Sequence, residues 1–198
     1  MAYLDPSEYV AYGLSADTAD AWVAAASAMV DAHCRRSSLL ATSYTERLPV
    51  KWPWGTAQLT YGPAAQITAV QARYSLRLER REEMLLEYAL VFGLPGQWIT
   101  LDPTTVTLDT AMQEMQLPLN LFGMRYSEVE VTYTAGLATA PDPVKYACAQ
   151  IVRNAQATPG LNVKSSKLDT LQTQYFSDSL LDVQVKALLR PYVAERLG

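Results

Sequence analysis

The chain has 198 residues, of which 49% are hydrophobic and 18% charged, a composition typical of a folded protein rather than a disordered one. Its formal net charge of −4 argues against a large basic surface that grips nucleic acid. The chain opens without a basic segment followed by an apolar one, and no apolar run is long enough to span a membrane. We therefore expect a soluble protein made in a reducing cytoplasm.

The first 40 residues have the pattern of two helices. A short helix begins at Pro6 and ends at Gly13. Ser15 is a favourable N-cap for a second helix, which we predict to run to Arg36. Residues 24–28 have small side chains, so another helix can approach closely there. One apolar stripe of this helix comprises Trp22, Ala26, Met29 and His33, flanked by Val23, Val30 and Cys34.

Between residues 41 and 134 the pattern changes from helical to β. Alternating apolar residues at 70–78 and again at 86–92 predict a long hairpin, although a helix at 82–91 is the alternative. The tip of this hairpin is charged, and its candidate contact residues are Arg77, Arg80, Arg81, Glu82 and Glu83. Shorter strands are predicted at 42–50, 57–61, 98–101 and 105–108, with an irregular stretch at 111–123.

The clearest local signal is a strand that leads into a helix. Val129, Val131 and Tyr133 alternate with polar residues, as in a strand with one buried face. Gly136 ends this strand, and Pro143 suits the first turn of a helix that we predict to reach residue 157. The helix has one continuous apolar stripe, formed by Val144, Ala147, Cys148, Ile151, Val152 and Ala155.

The C-terminal region is less decisive. Residues 163–176 are polar and fit either a loop or a weak hairpin. Ser179 is a favourable N-cap for a last helix, and Pro191 should end it and free the remaining tail. The apolar set of this helix is Leu180, Leu181, Val183, Val185, Leu188 and Leu189.

These elements predict an α+β fold with a small helical bundle core and an inserted antiparallel β region. The core comprises residues 1–40 and 135–198, and the insertion comprises residues 41–134. Each of the three main helices needs an apolar partner, so we expect their stripes to pack together. The expected interior residues are Met29, Val30, Cys148, Ile151, Val152 and Leu188.

The sequence offers no catalytic, cofactor or metal site. His33 is the single histidine, which excludes a site with two histidine ligands, and glycine-rich phosphate loops and paired-cysteine zinc spacings are absent. A hydrolase built on scattered carboxylates has no constellation in its support. A binding module is an alternative, because Trp52, Trp54 and Trp98 could stack against a sugar or a base, although anchoring of the β layer is favoured.

Three stretches of the chain together resemble one known family. They are His33-Cys34-Arg35-Arg36 at the end of the second helix, Val129 to Gly136 followed by Pro143-Val144-Lys145, and Leu188-Leu189-Arg190-Pro191-Tyr192. In order and spacing they resemble the head–tail connector, or adaptor, proteins of long-tailed bacteriophages. These are the HK97 gp6-like and SPP1 gp15-like proteins, which gene transfer agents also carry. The β region is longer here than in the compact helical members.

The resemblance implies a structural protein of the virion neck, assembled in the host cytoplasm, that is neither an enzyme nor membrane-bound. It implies a dodecameric ring beneath the portal, with DNA passing through the ring without sequence-specific binding, and a stopper or tail-completion protein as the next partner. Another neck role, such as stopper or tail terminator, is the alternative within this class. The C-terminal segment is the expected portal contact, through Lys186, Leu189, Arg190, Pro191, Tyr192, Val193 and Leu197.

Overall fold

The computed structural model describes residues 2–51, 53–74, 96–119, 125–157, 165–168, 171–174 and 180–194, with the backbone alone at 165–168 and 171–174. In chain order the helices and strands are α1 (Asp20–His33), β1 (Thr42–Pro49), β2 (Thr56–Gln58), β3 (Ala64–Arg73), β4 (Ile99–Leu101), β5 (Thr107–Asp109), β6 (Glu114–Gln116), β7 (Glu128–Ala135), α2 (Asp142–Ala157), β8 (Ser165–Leu168), β9 (Leu171–Gln174) and α3 (Val183–Leu189). Short 3-10 helices lie at Pro6–Glu8, Pro103–Thr105 and Arg190–Tyr192.

The chain divides into two compact units. Unit 1 comprises Met1–Leu40 and Ala138–Ala194 and contains the helices α1, α2 and α3, while unit 2 is built on Ala41–Leu137 and contains β1 to β7. The fold is α+β with antiparallel sheets, which confirms the predicted fold class. Within the described ranges, no helix combines the length and the apolar character that crossing a bilayer requires.

The core of unit 1 is the packing of α1 on α2. The two helices face each other at Ser27 and Cys148, whose Oγ and Sγ atoms lie 4.0 Å apart. Val30, Ile151 and Val152 are buried, as their stripes predict. Of the small residues at 24–28, Ala26 and Ser27 are buried in this core, whereas Ala24, Ala25 and Ala28 are exposed.

Two helix starts differ from the prediction. Helix α1 begins at Asp20 rather than near Ser15, because the amide of Thr18 bonds to the carbonyl of Ser15 and closes a separate turn first. Helix α3 is capped by Asp182, whose carboxylate accepts a bond from the Val185 amide. Ser179, the predicted cap, lies outside the described residues.

Several residues of the predicted apolar stripes are not fully buried, among them the half-buried His33 and Ala155. Leu188 is 38% exposed, because the buried side of α3 is formed by Val185 and Leu189, one turn apart. Trp22 is 44% exposed, since the buried face of α1 centres on Val23, Ala26, Ser27 and Val30. Met29 is only partly buried and packs at the margin of the same core.

Unit 2 contains two antiparallel sheets, with strand orders β1-β7-β3-β4 and β2-β6-β5. Every second residue of β7 is buried, from Val129 to Ala135, which confirms the predicted alternation. The stretch 111–123 was predicted to be irregular and instead contains β6, with Met115 fully buried. Strand β6 pairs with its neighbour β5 and, across a long stretch of sequence, with β2, and these bonds stabilise a strand too short to show a period of its own.

Two regions were predicted with alternatives, the hairpin at 70–92 and residues 163–176. Of the first arm predicted for the long hairpin, residues 70–73 lie in β3, and Val70, Ala72 and Tyr74 are buried. The rest of that hairpin lies outside the described residues, so strand or helix at 82–91 stays a prediction. Of the two alternatives at 163–176, the hairpin is observed, as β8 paired with β9.

Candidate interaction surfaces

The C-terminal segment is held against unit 1 as far as Ala194. Pro191 does not release the chain, because it sits inside the 3-10 helix Arg190–Tyr192, where its missing N–H costs nothing. Ala194 is buried, and its amide donates to the carbonyl of Cys34 at 2.9 Å. The prediction that the tail leaves the core at Pro191 is therefore wrong for residues 192–194.

The expected portal-contact residues do not all share one surface. Leu189 is fully buried and belongs to the core, while Tyr192 and Val193 are half-buried. Leu197 lies outside the described residues. The outer side of α3, which we call the α3 outer face, is exposed and mostly apolar with two basic residues; it comprises Val183, Lys186, Ala187, Leu188, Arg190 and Pro191.

The charged tip of the predicted hairpin cannot be placed, since Arg77, Arg80, Arg81, Glu82 and Glu83 lie outside the described residues. The strand that leads toward the tip ends in a charged cluster on the solvent side of the sheet. There Arg73 bonds to Glu128 at 2.5 Å, and Arg47 bonds to Glu130 at 2.6 Å. The cluster joins β1, β3 and β7.

The three tryptophans of the alternative binding module are differently placed. The guanidinium carbons of Arg47 and Arg73 lie 5.2 and 4.7 Å from the centre of the Trp98 ring, so cations already occupy positions over this ring. Trp54 is 71% exposed. Trp52 lies outside the described residues. Trp98 therefore belongs to the charged cluster of the sheet rather than to an open stacking platform.

The outer side of α1 has no charged residue along most of its length. This α1 outer face is exposed and consists of Ala21, Trp22, Ala24, Ala25, Ala28 and Ala32. A helix whose outer side faces water normally has polar and charged residues there. The signal was present in the sequence, as an unbroken absence of charge from Ala21 to Val30, but only the structure shows which side is open.

A second surface of unit 1 is aromatic. The rings of Tyr12 and Tyr146 meet edge to face at 4.9 Å, and Tyr146 is 50% exposed beside the exposed Val10. We call these three residues the tyrosine face. Residues 10–12 and 146 are far apart in sequence, so the pattern along the chain gave no indication that they meet.

The charged groups around the tyrosine face are paired within the chain. Tyr12 donates a hydrogen bond to Asp142 at 2.7 Å, and this bond raises the pKa of Tyr12 to about 12. Lys145 pairs with Glu8 at 2.5 Å and lowers the pKa of that carboxyl. These bonds also fix the N-terminal segment on α2.

The titratable groups of the interior are structural. Burial raises the pKa of the Cys34 thiol to about 11 and that of Cys148 to about 12, so neither is an activated nucleophile at neutral pH. In unit 2, Tyr133 donates a bond to Glu46 at 2.6 Å, and burial raises the pKa of Tyr133 well above its usual range. Among the described residues, no cluster of histidine, cysteine, aspartate or glutamate side chains could hold a metal ion.

One solved structure shares this fold from end to end. It is a chain from the neck of an empty gene transfer agent (GTA) particle computed with C6 symmetry, matched with a TM-score of 0.51 at 16% identity over 99% of this chain and 92% of that chain. A chain from the neck of the native GTA particle, computed with C12 symmetry, matches with a TM-score of 0.49 at 16% identity over 99% and 91%. No protein-family model and no curated protein matches the sequence.

Proposed function

We propose that this chain is a structural protein of the virion neck in a tailed bacteriophage or gene transfer agent, and specifically its head–tail adaptor. The observation that carries the proposal is the match to a chain from a GTA particle neck over nearly the full length of both chains. A match that covers both units is more informative than one confined to a helix bundle, since helix bundles recur in many unrelated proteins. The three stretches shared with phage adaptors support the same role.

The adaptor works as a ring around the DNA path. The neighbouring neck structure was computed with C6 symmetry, which supports a ring, and the resemblance to phage adaptors specifies a dodecamer. A net charge of −4 suits a protein that surrounds DNA without holding it, because phosphates slide past acidic or neutral groups. The role requires no catalysis, and His33→Gln is expected to leave it intact.

The portal contact is proposed on the α3 outer face and the segment after it. Lys186, Arg190 and Pro191 supply exposed groups, while Leu189 holds the face in place from the core. Val183, Ala187 and Leu188 are exposed together on this face, and a contiguous apolar patch is what a partner would cover. Tyr192, Val193 and Leu197 continue the same contact.

The second contact is proposed at the tip of the 70–92 hairpin. Arg77, Arg80, Arg81, Glu82 and Glu83 carry both signs of charge, which suits a protein partner better than a phosphate backbone. That partner is a neighbouring subunit or the stopper or tail-completion protein. Reversing Arg80 and Arg81 to Glu is expected to weaken assembly in a salt-sensitive way.

The test of the proposal is to remove the protein and to locate it. A particle producer that lacks this chain should make DNA-filled heads without tails, and a tagged copy should label the head–tail junction in electron micrographs. Tailed, infectious or gene-transferring particles in the absence of the chain would contradict the adaptor role. Label on the tail tip or the capsid shell would contradict the neck location.

The portal surface is tested by a matched pair of charge reversals. Arg190→Glu should reduce binding to portal-bearing heads, whereas Lys51→Glu, an exposed reversal in unit 2, should not. Truncation after Ala194 removes residues 195–198 and leaves the buried Ala194 in place, so the subunit should stay folded and bind more weakly. Equal binding of Arg190→Glu and the wild type would move the portal contact away from α3.

A further inference from the structure

The ring proposed above needs two different surfaces on each copy. In a closed ring of identical subunits that all point the same way, the front of one copy meets the back of the next, so the contact is heterologous. A suitable pair of surfaces must lie on opposite sides of the molecule. Both must also be free of unpaired charges that burial would leave without a partner.

The α1 outer face and the tyrosine face lie on opposite sides of unit 1. Ser27 of α1 and Cys148 of α2 mark the sides on which the two helices touch. Side chains two positions apart on a helix point about 200° away from each other. Ala25 therefore points away from α2, and Tyr146 points away from α1.

The two faces differ in the charges that burial would cover. The α1 outer face carries none. Next to the tyrosine face Lys145 is paired with Glu8 and Asp142 accepts the Tyr12 hydroxyl, while the exposed Arg153 lies about 10 Å further along α2, at the edge of this face. Each face also offers an anchor of the kind that dominates protein interfaces, Trp22 on one and Tyr146 on the other. The alanines beside Trp22 leave room for the tyrosine rings to approach the helix backbone.

We infer that the α1 outer face of one copy packs against the tyrosine face of the next copy and that this front-to-back contact closes the ring. A foreign partner needs one surface, whereas a second copy accounts for two exposed apolar surfaces on opposite sides of one unit. The inference rests on the ring of the proposed function. It leaves the α3 outer face available to the portal.

The first experiment disables one face at a time. Ala28→Glu places a charge on the α1 outer face, and Tyr146→Glu places one on the tyrosine face. The mass of each variant is measured in solution and on portal-bearing heads of the same particle, with Ala65→Glu, an exposed alanine of unit 2, as the control. Both face variants should lose the ring, with at least a tenfold weaker subunit association, while the control keeps it.

Folding is monitored separately by circular dichroism and thermal unfolding. Should either glutamate variant unfold, Trp22→Ser and Val10→Ser replace it, since both side chains are exposed and their loss leaves the core intact. These milder variants are expected to weaken association in the same direction.

The second experiment tests the pairing itself. Ala28→Glu retains an intact tyrosine face, and Tyr146→Glu retains an intact α1 outer face. In an equimolar mixture, each pair of the two variants can therefore form one contact. The mixture should form a one-to-one dimer with twice the 21.9 kDa mass of a single chain, although neither variant assembles alone. A mixture that stays monomeric would overturn the front-to-back pairing.

The outcomes separate this inference from the proposed function. A wild-type protein that forms no ring in solution or on heads would overturn the proposed ring itself. A wild-type ring that persists in Ala28→Glu and in Tyr146→Glu would overturn only the assignment of these two faces.

Discussion

On the solvent side of the four-stranded sheet of unit 2, polar side chains are paired across the strands, as in Arg47 with Glu130, Arg73 with Glu128 and Thr45 with Thr132. The helices of unit 1 have the opposite character, with Trp22, Tyr146 and Val183 among their exposed residues. These polar groups of the sheet therefore bond to one another. The helix faces leave apolar area exposed to water. We therefore expect the apolar contacts of an assembly on unit 1, in addition to the charged contact proposed at the tip of the 70–92 hairpin.

The two units also secure their interiors differently. In unit 1 a buried amide, Asn154, donates to the Leu180 carbonyl and to Asp182, which joins α2 to the start of α3. In unit 2 a half-buried carboxylate, Glu46, accepts bonds from Tyr133 and from the Thr60 amide, which joins β1 to β7 and to the loop after β2. Variants at these positions separate the stability of one unit from that of the other.

The largest expected effect is in the core of unit 1. Ile151→Ala removes a buried side chain between α1 and α2 and is expected to lower the free energy of unfolding by about 2–5 kcal/mol. Chemical denaturation measures the loss. Val183→Ala is the control, because the same class of truncation at an 83% exposed position should stay within about 0.5 kcal/mol. Similar losses in the two variants would contradict the burial assigned to α2.

The next effect is in unit 2. Tyr133→Phe keeps the ring but removes the hydroxyl that donates to Glu46 and accepts from the Tyr61 amide. Losing these bonds in a partly buried place is expected to cost about 1–3 kcal/mol of unfolding free energy. Tyr146→Phe, on a half-exposed ring, is the matched control and should change little.

Alkaline pH gives the same variant a second test. The folded-state pKa of Tyr133 is raised, so its contribution is fully present below the unfolded pKa of about 10 and is lost as pH rises further. The stability difference between the wild type and Tyr133→Phe should therefore shrink between pH 8 and pH 11. A stability difference that grows over this range would contradict a raised pKa of Tyr133 in the folded state, and hence the burial of its hydroxyl.

The sequence predicted best where one local period decides the structure. Strand β7 buries every residue that its alternation selects, from Val129 to Ala135, and helix α2 buries every residue of its predicted stripe except the half-buried Ala155. These elements are long enough for the period to repeat. Their buried sides then follow from geometry alone, whichever elements pack against them.

Prediction from the sequence failed where contacts with other parts of the chain determine the structure. The start of α1 shifted from Ser15 to Asp20 because the turn at 15–18 competes with the helix for the same backbone groups. Strand β6 pairs with its neighbour β5 and also with β2, which is distant in sequence. The tyrosine face joins Tyr12 to Tyr146, and no local pattern connects these positions.

A smaller effect is expected at the start of α3. Asp182→Ala removes the side chain that caps the Val185 amide and accepts from Asn154, which should cost about 0.5–2 kcal/mol. Ser15→Ala is the informative control, since Ser15 has the residue type of an N-cap but does not cap α1. Denaturation curves that rank Ser15→Ala above Asp182→Ala would restore the helix start predicted from the sequence.

The smallest expected effect concerns the reactivity of the cysteine thiols, which reports on unit 1 alone. Both cysteines of the chain, Cys34 and Cys148, lie in unit 1, where they are buried and have raised pKa values. A thiol reagent at pH 8 should therefore label the native protein only slowly and label both thiols at once after denaturation. Because unit 2 contains no cysteine, the slow labelling of the native protein measures the opening of unit 1 alone. Ile151→Ala should speed that labelling, whereas Tyr133→Phe should leave its rate unchanged if the two units open independently. Faster labelling in Tyr133→Phe would show instead that the sheet and the helices open together, and the contrast between the two units would then hold for their surfaces but not for their stability.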